Sequence, residues 1–468
     1  MSSTIFSRHL AKLPIYLLSL AAASLLAAGC GGAIDGTTAT GVAGPSFVVG
    51  TDAPMASVTS FAVVVERVDA INASGASVSL VSGSPTVDFA RFNGLQTLLD
   101  MNDVPAGTYT NMQITLGPAT LGYLNTPTGS APTIVTEAAT LTSSTVNIAL
   151  ATPLVVAQTG APVGLHLDLN LRKSILVDTN GQITGQVTPT FTVNAVAIGD
   201  SGAYIDELDA AVVSVNPTAQ SFVVQGPHGR QFTVDITGNT EWDNSESISL
   251  LTTSSIVKVS GTLDRVDATI DADEVAILSQ NGFYADGQIT YVTPASGAAT
   301  SFDLYVRGVM PTTTGLTLGQ IAQINLSGQE NFFIYRMHNT LTQFLFNASN
   351  LMAGQPVIIG GPATGAVNPL AVTIKRVVLR HWGFNGTVVA ASINSASGTF
   401  QMQVNGFAGV LVPQTVTVYT SSDTTFRDGL SAFSSVTASA NVRVVGLLVK
   451  DPVSGQSVLL ARYVDALI

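Results

Sequence analysis

The side chains that could do chemistry in this chain gather in two acidic stretches. Asp264, Asp267, Asp271, Asp273 and Glu274 fall within LDRVDATIDADE. Hard oxygen donors clustered in a loop could hold Ca²⁺. Their spacing is not that of an EF-hand, and the glycine of its sharp turn is missing, so the expectation is a solvated turn and no metal is assigned. Glu241 and Asp243 flank Trp242. Two carboxylates beside an aromatic suit glycoside cleavage only when they face each other about 5–10 Å apart across a cleft. On a strand, residues i and i+2 share a face, and an acid-rich exposed edge accounts for the pair as well. The five histidines are His9, His166, His228, His338 and His381, and no two have the spacing of a metal-binding pair. No phosphate-binding loop, dinucleotide fingerprint or G-x-S-x-G elbow is present.

Ser201 is the remaining nucleophile candidate. Gly199-Asp200-Ser201-Gly202 resembles the nucleophile motif of chymotrypsin-like proteases, but the Gly-Pro that follows there is missing. The histidine setting it needs upstream is missing too: His166 lies inside an alternating, strand-like run. Gly, Asp and Ser are turn formers, and a linker is the expected role. These readings leave no catalytic residue and no cofactor.

The single cysteine carries a different message. Cys30 follows LPIYLLSLAAASLLAA (Leu13–Ala28), an apolar run behind Arg8, His9 and Lys12. The run is short of the roughly 20 residues of a spanning helix and has the layout of a secretory signal. Leu26-Ala27-Ala28-Gly29-Cys30 resembles the lipobox of bacterial lipoproteins, with Leu26 one place earlier than usual. That resemblance implies cleavage after residue 29 and acylation of Cys30. With Gly31 and no aspartate after the cysteine, it implies an outer-membrane or surface address in the cell envelope. Each buried methylene contributes about 0.8 kcal/mol, so several acyl chains hold a soluble body on a bilayer. No cysteine then remains for a disulfide, a thiolate metal site or a nucleophile.

Composition sets the frame. Of 468 residues, 46% are hydrophobic and only 10% charged, with 43 Gly and 20 Pro. That is far less charge than the roughly 25% of a typical soluble protein and suits an exported all-β protein. Net charge is −12, with 18 basic residues and no basic cluster, so nucleic acid is not an expected partner. The expected partners are the membrane, through the lipid, and an envelope protein or polysaccharide. About 440 residues beyond the signal exceed what one core serves, and several domains are expected.

Along the chain, residues 30–45 read as a Gly/Thr/Ala-rich tether. From 46 to 199, side chains alternate at period 2: Phe61, Val63, Val65; Met112, Ile114, Leu116; Val146, Ile148, Leu150; Leu165, Leu167, Leu169, Leu171. Such alternation is the mark of antiparallel sheets with one face on a core. Phe92–Met101 and the stretch from Leu171 are short helix candidates. In VPAGTY, Pro105 fixes φ, Gly107 is expected to supply a left-handed turn, and Tyr109 packs as the next strand starts. GTDAP at Gly50–Pro54, this turn, LDLNLRKS and TPTFTV together resemble the bacterial domain of unknown function 4382, which implies a prealbumin-like β-sandwich.

Three later stretches, 204–280, 281–380 and 381–468, share one order of features. A strand leads through a polar turn to a Phe (Phe222, Phe302, Phe400), and a later strand ends in Gly (Gly261, Gly361, Gly446). The first and third also carry Thr240-Glu241-Trp242 and Thr424-Thr425-Phe426; the second has no clear copy. Residues 223–234 read as a hairpin turning at Gly226–Gly229. This order resembles the domain of unknown function 5666, which implies small tandem β-barrel-like modules with the aromatics inside and glycines at the corners. The fold class expected is all-β, a β-sandwich followed by three small modules. The functional expectation is a non-catalytic lipoprotein with a structural or binding role in the envelope. A carbohydrate- or cell-wall-binding protein is the runner-up, and a hydrolase stands last.

Overall fold

The alternating runs of the first region form two facing sheets. The computed structural model describes residues 43–467 apart from 54–57, 93–94, 126–132, 160, 180–182, 226–230, 244–245, 265–268, 281–282, 295–296, 311–315, 336–342, 362–373, 405–413 and 428. In one sheet, Ala43–Ala53 lies between Thr97–Pro105, antiparallel, and Val163–Asn170, parallel, with Phe191–Ala197 on the outer side of the latter. The other sheet is built on the long antiparallel pair Val58–Asn72 and Gly107–Asn125. Phe61, Val63, Val65, Met112, Ile114 and Leu116 meet Leu165, Leu167 and Leu169 between the sheets, all buried. This is the sandwich expected from the alternation, and the protein is all-β throughout.

Two local expectations change. Thr97–Pro105 is a strand and not part of a helix, because its ladder with Ala43–Ala53 outweighs the weak local preference of Leu95, Leu98 and Leu99. Gly107 does not have the positive φ of a left-handed turn. The chain steps at Ala106 from one sheet to the other, a crossing that requires no reversal. Tyr109 does pack there, its hydroxyl donating to the Pro105 carbonyl at 2.7 Å. The second helix candidate forms one turn, Leu171–Ser174, capped by Asn170 Oδ1 accepting from the Lys173 N–H at 2.9 Å.

The strand plan of the rest repeats three times. Ile205–Asn216, Ser221–Gln225 and Gln231–Trp242 form an antiparallel meander. Ile256–Leu263 and Ile270–Ser279 follow, and the last closes a barrel by pairing parallel with Gln231–Trp242. The third copy does the same: Trp382–Val388, Thr399–Val404 and Gln414–Tyr419, then Asn441–Lys450 and Ser457–Ala466, which pairs parallel with Gln414–Tyr419 and Thr425–Arg427. The second copy follows the order too. Its parallel partner is the separate strand Asn331–Ile334 against Arg376–Leu379, which supplies the element that sequence did not reveal.

Phe222, Phe302 and Phe400 are each the second residue of the second strand, and each is fully buried. At Gly261 and Gly446 the ladder to the last strand is bulged. A Cβ there would stand 2.1 Å from the Asp271 carbonyl oxygen and 2.4 Å from that of Leu460, so the neighbouring strand itself excludes a side chain.

The copies are not beads on a string. Phe47, Val49 and Leu98 of the sandwich belong to the core of the first barrel. Leu447, Val449, Val458 and Leu460 of the third copy belong to the core of the second. Residues 41–468 form one compact unit. Among the described residues no helix is long and apolar enough to cross a membrane.

Candidate functional site

The strands that open the repeats carry acids into the interior. Glu207 and Asp209 lie on Ile205–Asn216, and Tyr284 and Asp286 on Phe283–Thr293. Lys258 sits on Ile256–Leu263, Arg380 just beyond Arg376–Leu379, and Arg91 closes the 3₁₀ turn Phe89–Arg91 of the sandwich. Docking the copies brings these residues together. Lys258 Nζ lies 3.0 Å from Glu207 Oε2 and 2.9 Å from Asp209 Oδ1. Arg91 Nη2 donates to Asp209 Oδ2 at 2.8 Å and to the Tyr284 hydroxyl at 3.1 Å, and the Tyr284 hydroxyl also donates to Asp209. Arg380 Nη1 donates to Asp286 Oδ2 at 2.6 Å and its Nη2 to Glu207. Three cations thus face three carboxylates, nearly all out of contact with solvent.

Burial alone would raise the Asp209 carboxyl, but Lys258, Arg91 and Arg380 together hold it well below the usual carboxylate range. Burial likewise works against the charge of Arg380, and Glu207, Asp286 and Asp209 more than offset it. A set so balanced keeps its charges fixed rather than poised for proton transfer. Asp206 adds a tie on the other side of its strand. It accepts from the Gln96 N–H and the Tyr463 hydroxyl, each at 3.1 Å, and so joins sandwich to third copy.

A cavity of about 650 Å³ adjoins the cluster. Arg91, Glu207, Asp209 and Arg380 contribute to its lining, as do Asp88 and Arg307, and Phe92, Leu99, Met310 and Leu318 make it largely apolar. Its volume is in the range of small-molecule sites.

The residues singled out from sequence lie elsewhere. Cys30, Asp267, His9, His228 and His338 are outside the described residues. Asp264 follows Ile256–Leu263, and its N–H donates to the Thr269 carbonyl at 2.7 Å. On Ile270–Ser279, Asp271 and Asp273 share a face and Glu274 is buried on the other. Among the described residues no three His, Cys, Asp or Glu side chains converge as a metal site would need. Glu241 is exposed beside Glu274 on the parallel ladder, while Trp242 packs on the barrel core. Asp200 caps a turn, its Oδ2 accepting from the Ala197 N–H at 2.8 Å. That turn does pass His166, whose Cβ lies 3.6 Å from where a Cβ at Gly202 would be. His381 is buried, edge-on to Tyr335.

Burial, with Arg443 and Arg427 nearby, lowers the His166 imidazole from 6.5 to about 4. The unfolded chain takes up its proton near pH 6.5 and the folded chain only near 4. Stability is therefore lost as pH falls through that window and levels off below it, by about 3 kcal/mol. His166→Gln should flatten this part of the acid limb, measured as urea midpoints from pH 7 to 4. An unchanged slope would refute the assignment.

The junction was missed at the sequence level, although its signal was present. In a chain with so little charge, Lys258 stands between Val257 and Val259, and Asp206, Glu207 and Asp209 sit in IDELDAAVV, within runs otherwise apolar. No curated protein matches the chain. Residues 48–184, most of the sandwich, match the family model of a domain of unknown function, DUF4382.

Proposed function

We propose that this is a non-catalytic bacterial lipoprotein of the cell envelope. Acyl chains on Cys30 hold it to the outer membrane, and three modules of the domain-of-unknown-function 5666 kind are locked to the sandwich as one rigid body. The strand plan repeated in residues 205–279, 283–379 and 382–466 supports that module type. The observation that carries the role is the interlocking. A balanced buried charge cluster and shared cores fix the modules relative to one another, which suits a scaffold or binding body better than a mobile enzyme. The glycan-binding alternative gains less support. Trp382 is buried under the Arg307 guanidinium, and Trp242 packs on the first barrel, so neither offers an open stacking face.

Intact-mass spectrometry of the membrane-extracted protein tests the anchor. The mature chain should begin at Cys30 and carry the added mass of its acyl groups. Cys30→Ser should abolish both the acylation and the cleavage that depends on it, leaving a precursor whose mass still includes residues 1–29 and no acyl groups. An unmodified sulfur on the mature chain, or a serine variant still cleaved after residue 29, would defeat the proposal.

A further inference from the structure

The cavity beside the charge cluster lies where the sandwich meets the second copy. Phe92 and Leu99 come from the sandwich, Met310 and Leu318 from the second copy. All four keep surface open to solvent, and Leu318, on the turn before Ile321–Asn325, is 55% exposed. One exposed leucine is ordinary, but four such side chains around a hollow of about 650 Å³ make a concave apolar surface left wet. Junctions between packed units are common places for small-molecule sites. Thr86, Thr120 and Gln320, all exposed, add uncharged polar groups to the lining. Its charges are balanced: Arg91, Arg307 and Arg380 against Asp88, Glu207 and Asp209. Arg380 bonds to Glu207 and Arg91 to Asp209, and Arg307 offsets part of the effect of burial on Asp88. Arg307 and Arg380 are sealed, 6% and 2% exposed. Of the three arginines only Arg91 keeps appreciable exposure, 24% of its side chain, and its Nη2 already donates to Asp209 and Tyr284.

We propose that the cavity binds a small neutral molecule with an apolar body and an uncharged polar head. The body covers Phe92, Leu99, Met310 and Leu318, and the head meets the hydroxyls and amide of Thr86, Thr120 and Gln320. Charge decides the class. An anion drawn to Arg91 would compete with Asp209 and stand among three carboxylates. A cation would face three arginines. Either ion would give up its water for a lining whose opposite charges are already matched or sealed. A neutral head gives up far less, and the apolar body gains from burial in every case. This site does not depend on the anchor at Cys30.

Titration calorimetry on the full-length chain in lipid nanodiscs, with empty discs subtracted, provides the test. 4-Phenylbutanol should bind saturably; 4-phenylbutyrate and 4-phenylbutylammonium, which share its body, should bind at least about 10-fold more weakly. Leu318→Asp puts a charge into the lining and Thr120→Trp fills space there; both positions are exposed, so neither change disturbs a core. Each should weaken the alcohol by about 10-fold or more. Val453→Asp, at a position 94% exposed and outside the cavity lining, should bind as wild type. No saturable binding of the alcohol, either ion binding as tightly, an affinity that Leu318→Asp and Thr120→Trp leave unchanged, or an equal loss in Val453→Asp would overturn the proposal. None of these outcomes bears on whether Cys30 is acylated.

Discussion

Arg380→Met should cost about 3–5 kcal/mol of stability, the usual penalty for removing one partner of a buried ion pair. The arginine is 2% exposed and bonds to Asp286, fully buried, and to Glu207, nearly so. Methionine fills much of the volume but leaves both carboxylates facing cations that are already shared. Glu207 keeps Lys258, at 3.0 Å, and Asp286 keeps Arg91 only at 3.4 Å. Most of the loss should therefore come from Asp286. Asp286→Asn in the Arg380→Met background should recover part of it, so the two changes should be clearly non-additive in a double-mutant cycle. Urea unfolding reads the effect. A single variant within about 1 kcal/mol of wild type would mean the cluster does not hold the repeats together.

Phe400→Ala should be comparably damaging, about 3–5 kcal/mol. The ring is completely buried among Trp382, Met402, Val418 and Val444 in a barrel too small to collapse around the gap, with Phe433 6.4 Å away between centroids. Because the third copy contributes to the core of the second, the loss should appear as a shift of the whole transition. A separate early phase confined to the C-terminal copy would contradict that coupling. A loss under about 1 kcal/mol would mean the ring does not support the barrel.

The face of each strand was readable from side-chain types alone. Phe61, Val63 and Val65 point inward because neighbours on a strand point opposite ways, and a one-place slip would expose all three. Phe222, Phe302 and Phe400 were readable because a repeat shows itself by spacing. Gly261 and Gly446 were readable as corners, though their cause, a carbonyl of the adjoining strand, appears only when the strands pair. The strand Thr97–Pro105 was not readable. Leu95, Leu98 and Leu99 fit one helical face as well as a strand, and a partner some 50 residues away decided between them. The charge cluster was the least accessible. Arg91 and Asp209 are 118 positions apart and Arg380 and Glu207 are 173, distances over which no local pattern operates.

The seam where Leu447, Val449, Val458 and Leu460 sit inside the preceding copy's interior has a bearing on ancestry. Tandem arrays commonly grow or shrink by a unit, because each unit meets its neighbours through an identical face. Here the last unit closes the one before it with a surface the others do not present in the same way. Insertion or deletion of a whole copy would strip that covering from one partner and leave greasy strands bare. A lineage built on this seam is held to its number of units and to their order.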